Sequence, residues 1–447
     1  MEFSNLKQSA DKNVYAFTLS PVNVAYANTL RRIILTGIET VAFRSDMSST
    51  GTTTDVFVKR NDTPMTNEML ADRIGLIPIY VTKPNEWKED KYKFILKVDG
   101  TKDNTKYVTA SDFKVIETQV EAQVQDEDTK VDEDNQRIVP TEQFFPVNPI
   151  TNSTCLIATL QPGAGSKQQS IDIIAKATKG TGREHARFSP VSQCSYEYSL
   201  LDKTNENDKI RIDEMFMQWL LDAKKISAID KTSARYAELD REFNTMQIKR
   251  CFKTNEKEEP YSFDFTIETI GILSVPYIVE RACEVGENMC SRYTDSNNLP
   301  REITISHADS KLIGYDFRIP GHDHTLGNLL QTWLVENHIE GTASPKIEYA
   351  GYAVPHPLRD EMVLRIGVED GNEKTAKLAL ANAAKGCVEM FQKMRIAWRN
   401  AIGAPSLKPV GVSSVKRRQP RVGSLSASAA TSAATSAASA AAATVKQ

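Results

Sequence analysis

The feature that most constrains the fold of this chain is an internal repeat. The segment YAFTLSPVNVAYANTLRRIIL begins at Tyr15, and YDFRIPGHDHTLGNLLQTWLV begins at Tyr315, and the two align without a gap. Each copy has the order of a short alternating strand, a loop with Pro or Gly, and an amphipathic helix. Because one such unit leaves its apolar helix face uncovered, we expect the two copies to bury these faces against each other.

Two further elements follow each copy of the repeat. After the second copy, alternating apolar residues predict a strand over 361–371, and heptad-like spacing predicts a helix over about 373–402. After the first copy, the corresponding strand and helix are predicted over 261–271 and 274–293. We therefore expect an α+β fold in which two units of antiparallel strands and long helices form a pseudo-symmetric pair within the chain. The predicted pairing core consists of apolar helix residues, namely Leu30, Ile34, Ile278, Leu326, Leu330, Trp333, Phe391 and Trp398.

A long insertion interrupts the first unit. We expect this unit to comprise 1–45 and 196–305, on either side of a mainly β insertion domain over 46–195. The second unit is expected over 306–403. The segment 404–447 is basic and then rich in Ala and Ser, and this composition predicts a flexible tail.

The insertion also carries local predictions. Thr63 and Pro64 predict the start of a helix, Gly75 predicts its end, and LIPIYV after it predicts a strand. The acidic stretch 117–134 lacks the glycine and the spacing of a calcium loop. A solvated loop is therefore favoured there over a metal site.

Composition restricts the class of protein. With 40% hydrophobic and 25% charged residues, the chain has the make-up of a soluble globular protein. A net charge of −3 argues against broad binding to nucleic acid. Six cysteines without a CxxC pair fit a reducing intracellular setting. No stretch approaches the roughly 18 apolar residues of a membrane span, so no membrane association is expected.

The sequence contains one candidate metal site. His322 and His324, with His356 downstream, are residue types of a mononuclear metal centre, which would make the chain a metal hydrolase. The other interpretation is that GHDHT is a loop whose polar side chains cap the helix beginning near Thr325. No nucleophile elbow or complete phosphate-binding loop accompanies the histidines. We therefore expect no catalytic residues and no cofactor.

Several motifs together carry a family resemblance. ANTLRRIIL, LADRIGLIPI and GREHARFSPV, in this order, resemble the third-largest subunit of archaeal and eukaryotic RNA polymerases. DHTLGNLL followed by YAGYAVPHPL resembles the small partner of that subunit, the eleventh subunit of RNA polymerase II. The resemblance implies that the two units are alpha-like dimerisation domains, normally on separate chains. It also implies that they are fused here, as in large DNA viruses that carry their own polymerase.

The same resemblance implies a function. It predicts a non-catalytic assembly platform of a DNA-directed RNA polymerase, which recruits the second-largest and then the largest subunit. Small polymerase assembly subunits are further expected partners, and no direct sequence-specific DNA binding is expected. The predicted location is the host cytoplasm and the virion for a viral protein, and otherwise the nucleus. A dimerising adaptor that works outside transcription is the alternative.

The motifs also imply which residues contact the large subunits, namely Arg31, Arg32, Arg73, Gly75, His185, Arg187 and Pro190. Arg31 is unusual because it lies within the apolar arc of its predicted helix, where the alternatives are an internal ion pair or a snorkelling side chain. Asp72 stands where the family usually has histidine, so a contact through that side chain is expected to be lost or altered. The segment 83–94 lacks the cysteines that bind zinc in many eukaryotic third subunits, and no metal is predicted there.

Overall fold

The fold was obtained as a computed structural model of the whole chain. The residues that it describes are 1–10, 12–45, 55–118, 136–162, 168–227, 229–308 and 312–404. The predicted acidic loop over 117–134 lies outside these residues except at its first two positions. The predicted tail lies outside them beyond residue 404, so both stay predictions.

The described residues form antiparallel sheets and helices. The strands are, in chain order, β1 (Glu2–Gln8), β2 (Val14–Ser20), β3 (Glu39–Ala42), β4 (Val56–Asn61), β5 (Tyr92–Asp99), β6 (Lys106–Thr109), β7 (Phe113–Thr118), β8 (Gln136–Val139), β9 (Leu156–Leu160), β10 (Ser170–Ala175), β11 (Thr178–Thr181), β12 (Val191–Tyr198), β13 (Phe263–Thr269), β14 (Thr304–His307), β15 (Gly314–Pro320), β16 (Tyr349–Ala353) and β17 (Glu361–Gly367). The helices are α1 (Val24–Thr36), α2 (Asn67–Gly75), α3 (Glu206–Lys224), α4 (Ala234–Met246), α5 (Val275–Ser291), α6 (His324–Leu334) and α7 (Glu373–Ala401).

The two predicted units contain sheets with the same strand order. The first sheet has the order β1-β2-β13-β12 and the second has the order β14-β15-β17-β16, with antiparallel neighbours throughout. β2 and β15 occupy 14–20 and 314–320. The two strands are therefore separated by the same number of residues as the two copies of the sequence repeat. The prediction of a repeated α+β unit is confirmed.

One hydrophobic core is shared by the two units. Phe17 and Phe317, at equivalent positions of β2 and β15, are both buried in it, and the apolar faces of α1, α5, α6 and α7 cover the sheets. α1 contacts α6, and α5 contacts α7, so each unit supplies apolar area that the other buries. Seven of the eight residues of the predicted pairing core belong to this cluster, and the eighth, Trp333, is partly buried and packs against it. None of the described helices combines the length and the apolar character that a membrane crossing needs.

The insertion has a core of its own. A five-stranded sheet with the order β4-β10-β5-β7-β8, the pair β6-β9 and α2 surround it. β3 and β11 pair with each other and join the chain that enters the insertion to the chain that leaves it. β12 runs across the expected boundary between residues 195 and 196, because its whole length pairs with β13. Between β12 and β13, α3 and α4 enclose a third, smaller core.

Two local predictions within the insertion are wrong. α2 begins after Thr66, whose side chain accepts a hydrogen bond from the helix, whereas Thr63 lies in the turn before it. The segment 76–81 is not a strand. Pro78 in its middle has no amide to donate to a neighbouring strand, and the amide of Tyr80 donates to a loop carbonyl instead.

Candidate assembly surface

The repeated helices α1 and α6 pack against each other across the two units. At one end of this contact, Arg32 donates from Nε to Thr325 Oγ1 at 2.8 Å and from Nη2 to Asp323 Oδ2 at 3.2 Å. Asp323 is the N-cap of α6, which agrees with the interpretation of GHDHT as a capping loop. Burial raises the pKa of Asp323, but hydrogen bonds from Thr325 and the charge of Arg32 hold it below its ordinary value. The structure therefore places Arg32 at the junction between the units.

The opposite end of the same contact uses a carboxylate of the second unit. Glu336, just beyond α6, accepts hydrogen bonds from Asn23 Nδ2 at 2.7 Å and from Tyr26 Oη at 2.5 Å. Asn23 is the N-cap of α1, so the carboxylate lies at a helix N-terminus, where negative charge is favourable. Burial raises the pKa of Tyr26, and Glu336 raises it further. The two units are thus joined by polar contacts at both ends of the α1–α6 crossing.

Arg31 faces β12 rather than the second unit. Its Nε donates to Asn28 Oδ1 at 3.0 Å, and its side chain lines an open groove with Cys194 and Tyr196. Burial raises the pKa of the Cys194 thiol to about 12, although the charge of Arg31 opposes this shift. Within the part of the chain that the structure describes, no carboxylate forms an ion pair with Arg31. Its guanidinium is half-buried, and no carboxylate of the described residues lies within ion-pair distance of it.

Arg187 brings three of the predicted contact residues together. Its Nη1 donates to the Phe43 carbonyl at 2.8 Å and to Ser45 Oγ at 2.5 Å. Its Nε donates to Nδ1 of His185, which caps the short 3₁₀ turn that contains the arginine. A Cβ at Gly75 would lie 2.5 Å from Arg187 Nη1, so a side chain at this position would displace the guanidinium from its partners. Gly75, His185 and Arg187 form one cluster.

Arg73 lies on the exposed face of α2. Its Nε donates to the Ile157 carbonyl at 2.9 Å and its Nη2 to the Leu156 carbonyl at 3.1 Å, which fastens α2 to β9. Met69 and Leu76 lie on the same helix face, at i−4 and i+3, and are 56% and 62% exposed. The three side chains, which we call the α2 stripe, form an apolar surface around a fixed positive charge.

The other motif residues have partners inside the chain. Asp72 accepts a hydrogen bond from Ser45 Oγ at 2.8 Å. Pro190 is buried, and its carbonyl accepts from the Ile270 amide at 3.3 Å. Pro190 therefore holds the start of β12 against the loop that leads to α5.

Sequence reasoning missed Arg183, which joins the loop after β11 to the second unit. Its Nη1 donates to the Gly321 carbonyl at 2.8 Å, and its Nη2 forms an ion pair with Asp360. A Cβ at Gly182 would lie 2.4 Å from the Leu35 carbonyl, so this loop packs tightly against the end of α1. The two glycines of the segment 179–185, KGTGREH, predict a turn, but nothing in the sequence indicates what the turn contacts.

The three histidines of the candidate metal site have separate surroundings. His324 Nδ1 lies 3.3 Å from Tyr352 Oη, and His356 Nδ1 accepts from the Leu358 amide at 3.1 Å. Burial, followed by nearby arginine charges, lowers the pKa of His322. Among the described residues, which include all three histidines, no group of three or more His, Cys, Asp or Glu side chains is arranged to hold a metal ion. The geometry gives the metal-hydrolase alternative no support.

Two family models match the chain. One, described as the RNA polymerase Rpb3/Rpb11 dimerisation domain, matches residues 16–290, and another with the same description matches residues 315–396. The chain belongs to this family. The matched ranges cover most of the two repeated units, with the insertion inside the first range, so both units are Rpb3/Rpb11 dimerisation domains.

Curated relatives agree with the family models. The chain is 27% identical over 304 residues to the mouse DNA-directed RNA polymerases I and III subunit RPAC1, a match that covers 64% of this chain and 82% of the relative. It is 24% identical over 306 residues to the DNA-directed RNA polymerase subunit Rpo3 of Methanopyrus kandleri, covering 66% of this chain and 95% of the relative. The chain is therefore homologous to subunits of DNA-directed RNA polymerases.

Proposed function

We propose that the chain is a non-catalytic assembly platform of a DNA-directed RNA polymerase, in which two fused dimerisation domains pair and receive the second-largest and largest subunits. One observation carries the proposal: both dimerisation domains occur in one chain and share one hydrophobic core. A pair that is complete within one chain needs no separate small partner. The small polymerase assembly subunits are further proposed partners.

The proposed contact surface for the large subunits keeps the residues that the motifs imply, namely Arg31, Arg32, Arg73, Gly75, His185, Arg187 and Pro190. Two features of the structure support it. Arg31 is half-buried beside an open groove without an internal carboxylate partner among the described residues, and a guanidinium suits bidentate recognition of a partner's carboxylate. The α2 stripe adds exposed apolar area next to a positive charge, a combination typical of binding surfaces.

The proposal extends to origin and location. The presence of both dimerisation domains in one chain supports a source among large DNA viruses, and such a subunit would act in the host cytoplasm and enter the virion. A cellular source would place the subunit in the nucleus. Immunofluorescence of the protein in its native cells tests this part independently of any contact residue.

Affinity purification of the tagged chain from its native cells tests the function. We expect one copy of the chain with one copy of each large polymerase subunit, by quantitative mass spectrometry, and no separate small dimerisation partner. Arg31→Glu should reduce recovery of the large subunits at least about tenfold, since a buried like charge opposes a partner's carboxylate. Arg235→Glu, the same charge change at an exposed position of α4, is the matched control and should not alter recovery.

Two outcomes would contradict the proposal. Recovery of the chain alone, or with proteins unrelated to transcription, would favour the adaptor outside transcription. Normal recovery of the large subunits with Arg31→Glu would remove Arg31 from the contact surface. Arg32 is a less selective probe, because its reversal also disturbs the bonds to Asp323 and Thr325 within the chain.

A further inference from the structure

α5 of the first unit and α7 of the second unit pack against each other along a line of polar side chains. Arg399 of α7 forms an ion pair with Glu280 of α5, and Arg395 Nη1 lies 3.1 Å from Glu284 Oε1. The residue numbers rise along α5 as they fall along α7, so the helices run antiparallel. We call the whole line the α5–α7 ladder, and its members are Glu280, Glu284 and Glu287 on α5 and Gln392, Arg395 and Arg399 on α7.

Glu287, the third carboxylate of the ladder, interacts with two side chains of α7. Gln392 Nε2 donates to Glu287 Oε1 at 2.8 Å, and Arg395 Nη2 lies 3.5 Å from Glu287 Oε2. The charged side chains of the ladder are between 16% and 33% exposed, so water screens them only in part. The ladder thus lies at the border of the shared core, beside the buried ring of Phe391.

The signs of the charges are segregated between the two helices. At the ladder positions, α5 carries only carboxylates and α7 carries only an amide and guanidinium groups. Arg281, the arginine next to the ladder on α5, does not change this, because it lies 2.8 Å from Glu284 and 3.8 Å from Glu39 of β3. It therefore neutralises part of the acidic face of α5 without reaching α7.

The ladder adds little to the stability of the paired units, but it strongly disfavours pairing with the wrong partner. Partly buried ion pairs stabilise a contact little more than apolar side chains would, since desolvation of the charges offsets their attraction. Arg395 Nε illustrates this cost, because it is buried and has no hydrogen-bond partner among the described residues. A wrong pairing, by contrast, would bring like charges together in a partly dehydrated contact, which is strongly unfavourable.

We propose that the α5–α7 ladder selects the pairing partner of each dimerisation domain. α5 accepts α7 and rejects the α5 of a second chain, and α7 rejects a second α7 for the same reason. The ladder thereby favours pairing between unlike domains over pairing between copies of one domain. This inference concerns pairing within the chain and does not depend on the proposed role in transcription.

A charge-reversal cycle in the full chain tests the proposal. The α5 variant is Glu280→Arg with Glu284→Arg, the α7 variant is Arg395→Glu with Arg399→Glu, and the fourth protein combines all these changes. We expect each reversed variant to melt at least about 4 °C below the wild type and the combined protein to recover at least half of that loss. Lys385→Glu with Lys393→Glu, on the exposed face of α7, is the matched control for the change of charge and should melt as the wild type does.

A mixing experiment then tests partner choice directly. In an equimolar mixture of the α5 variant and the α7 variant, opposite charges face each other only between chains. Light scattering should therefore show a dimer in the mixture and monomers in each separate solution. A combined protein no more stable than the reversed variants, or a mixture that stays monomeric, would overturn the proposal. If the double reversals do not fold, the cycle is repeated with Glu284→Arg and Arg395→Glu alone, and the same outcomes decide.

Discussion

Trp398 links the two units through both its ring and its indole N–H. The side chain belongs to α7 of the second unit and is fully buried. Its ring centroid lies 5.0 Å from that of Phe3 and 5.2 Å from that of Phe17, and its Nε1 donates to the Pro276 carbonyl at 3.0 Å. All three partners belong to the first unit, so a change at Trp398 reports on the pairing of the units.

Trp398→Ala is expected to lower the free energy of unfolding by about 3–5 kcal/mol, the range observed when a buried Trp or Phe becomes Ala. The loss combines the apolar area that the ring buries with a cavity between β1 and α7. Trp398→Phe keeps a buried ring but removes the N–H donor, so the Pro276 carbonyl loses the hydrogen bond from the indole. The free energy of unfolding of this variant is expected to fall by about 1–2 kcal/mol, the cost of one lost hydrogen bond and a smaller ring.

Urea unfolding followed by far-ultraviolet circular dichroism measures both losses. The difference between the two variants separates ring packing from the hydrogen bond. A loss of less than about 1 kcal/mol with Trp398→Ala would refute the argument that this ring is packed into the sheet of the first unit. Equal losses with both variants would show that the hydrogen bond carries the effect and that the ring does not.

Three further changes test other contacts of the paired units. Gly386→Ala would place a Cβ 2.2 Å from the ring of Trp333. Urea unfolding should therefore show that the free energy of unfolding falls by about 1–3 kcal/mol. Unchanged stability would mean that α6 and α7 are farther apart at this point. Tyr26→Phe removes the hydroxyl that donates to Glu336. We expect the free energy of unfolding at pH 7 to fall by about 1–2 kcal/mol, and an unchanged value would contradict this hydrogen bond. Because the pKa of His322 is lowered from 6.5, the unfolded chain binds a proton near this pH that the folded chain does not. Stability should therefore fall as the pH drops below about 6.5, and His322→Asn should remove that part of the slope; identical pH profiles would disprove the assignment.

Periodicity in the sequence predicted the elements whose apolar faces are regular. Met362 and Ile366 belong to an alternating run in which the inward residues are all buried, and that run forms β17. The heptad-like spacing predicted a helix from Glu373 to about Ile402, and α7 ends at Ala401. Such patterns succeed because one face of each element lies against the core and the other faces solvent.

Elements defined by distant partners were harder to predict. β12 joins the first sheet by pairing with β13, although α3 and α4 separate the two strands in the chain. Thr63 and Thr66 are both suitable helix caps, and only the geometry of the preceding turn decides between them. In each case the deciding contact is not encoded by the local spacing of residues.

The two neighbouring arginines show the same limit at the candidate site. Arg31 falls within the apolar arc of α1, which suggested an internal ion pair as one alternative, yet it faces a groove beside β12. Arg32 lies on the polar face of α1, and the motifs implied that it contacts a large subunit, yet the second unit covers that face with Asp323 and Thr325. A helical wheel separates polar from apolar sides but does not indicate which polar side another domain covers.

The α1–α6 crossing adds an independent argument for selective pairing. In a perfectly two-fold pair, each contact at one end would recur at the other end with the same residues. Here Arg32 corresponds to Thr332 of the second copy, and Glu336 corresponds to Thr36 of the first. A pair of two second units would place Glu336 near Asp323 without an arginine, and a pair of two first units would leave Arg32 without a carboxylate. Charges at both helix contacts, α1 with α6 and α5 with α7, therefore favour the same pairing of unlike domains.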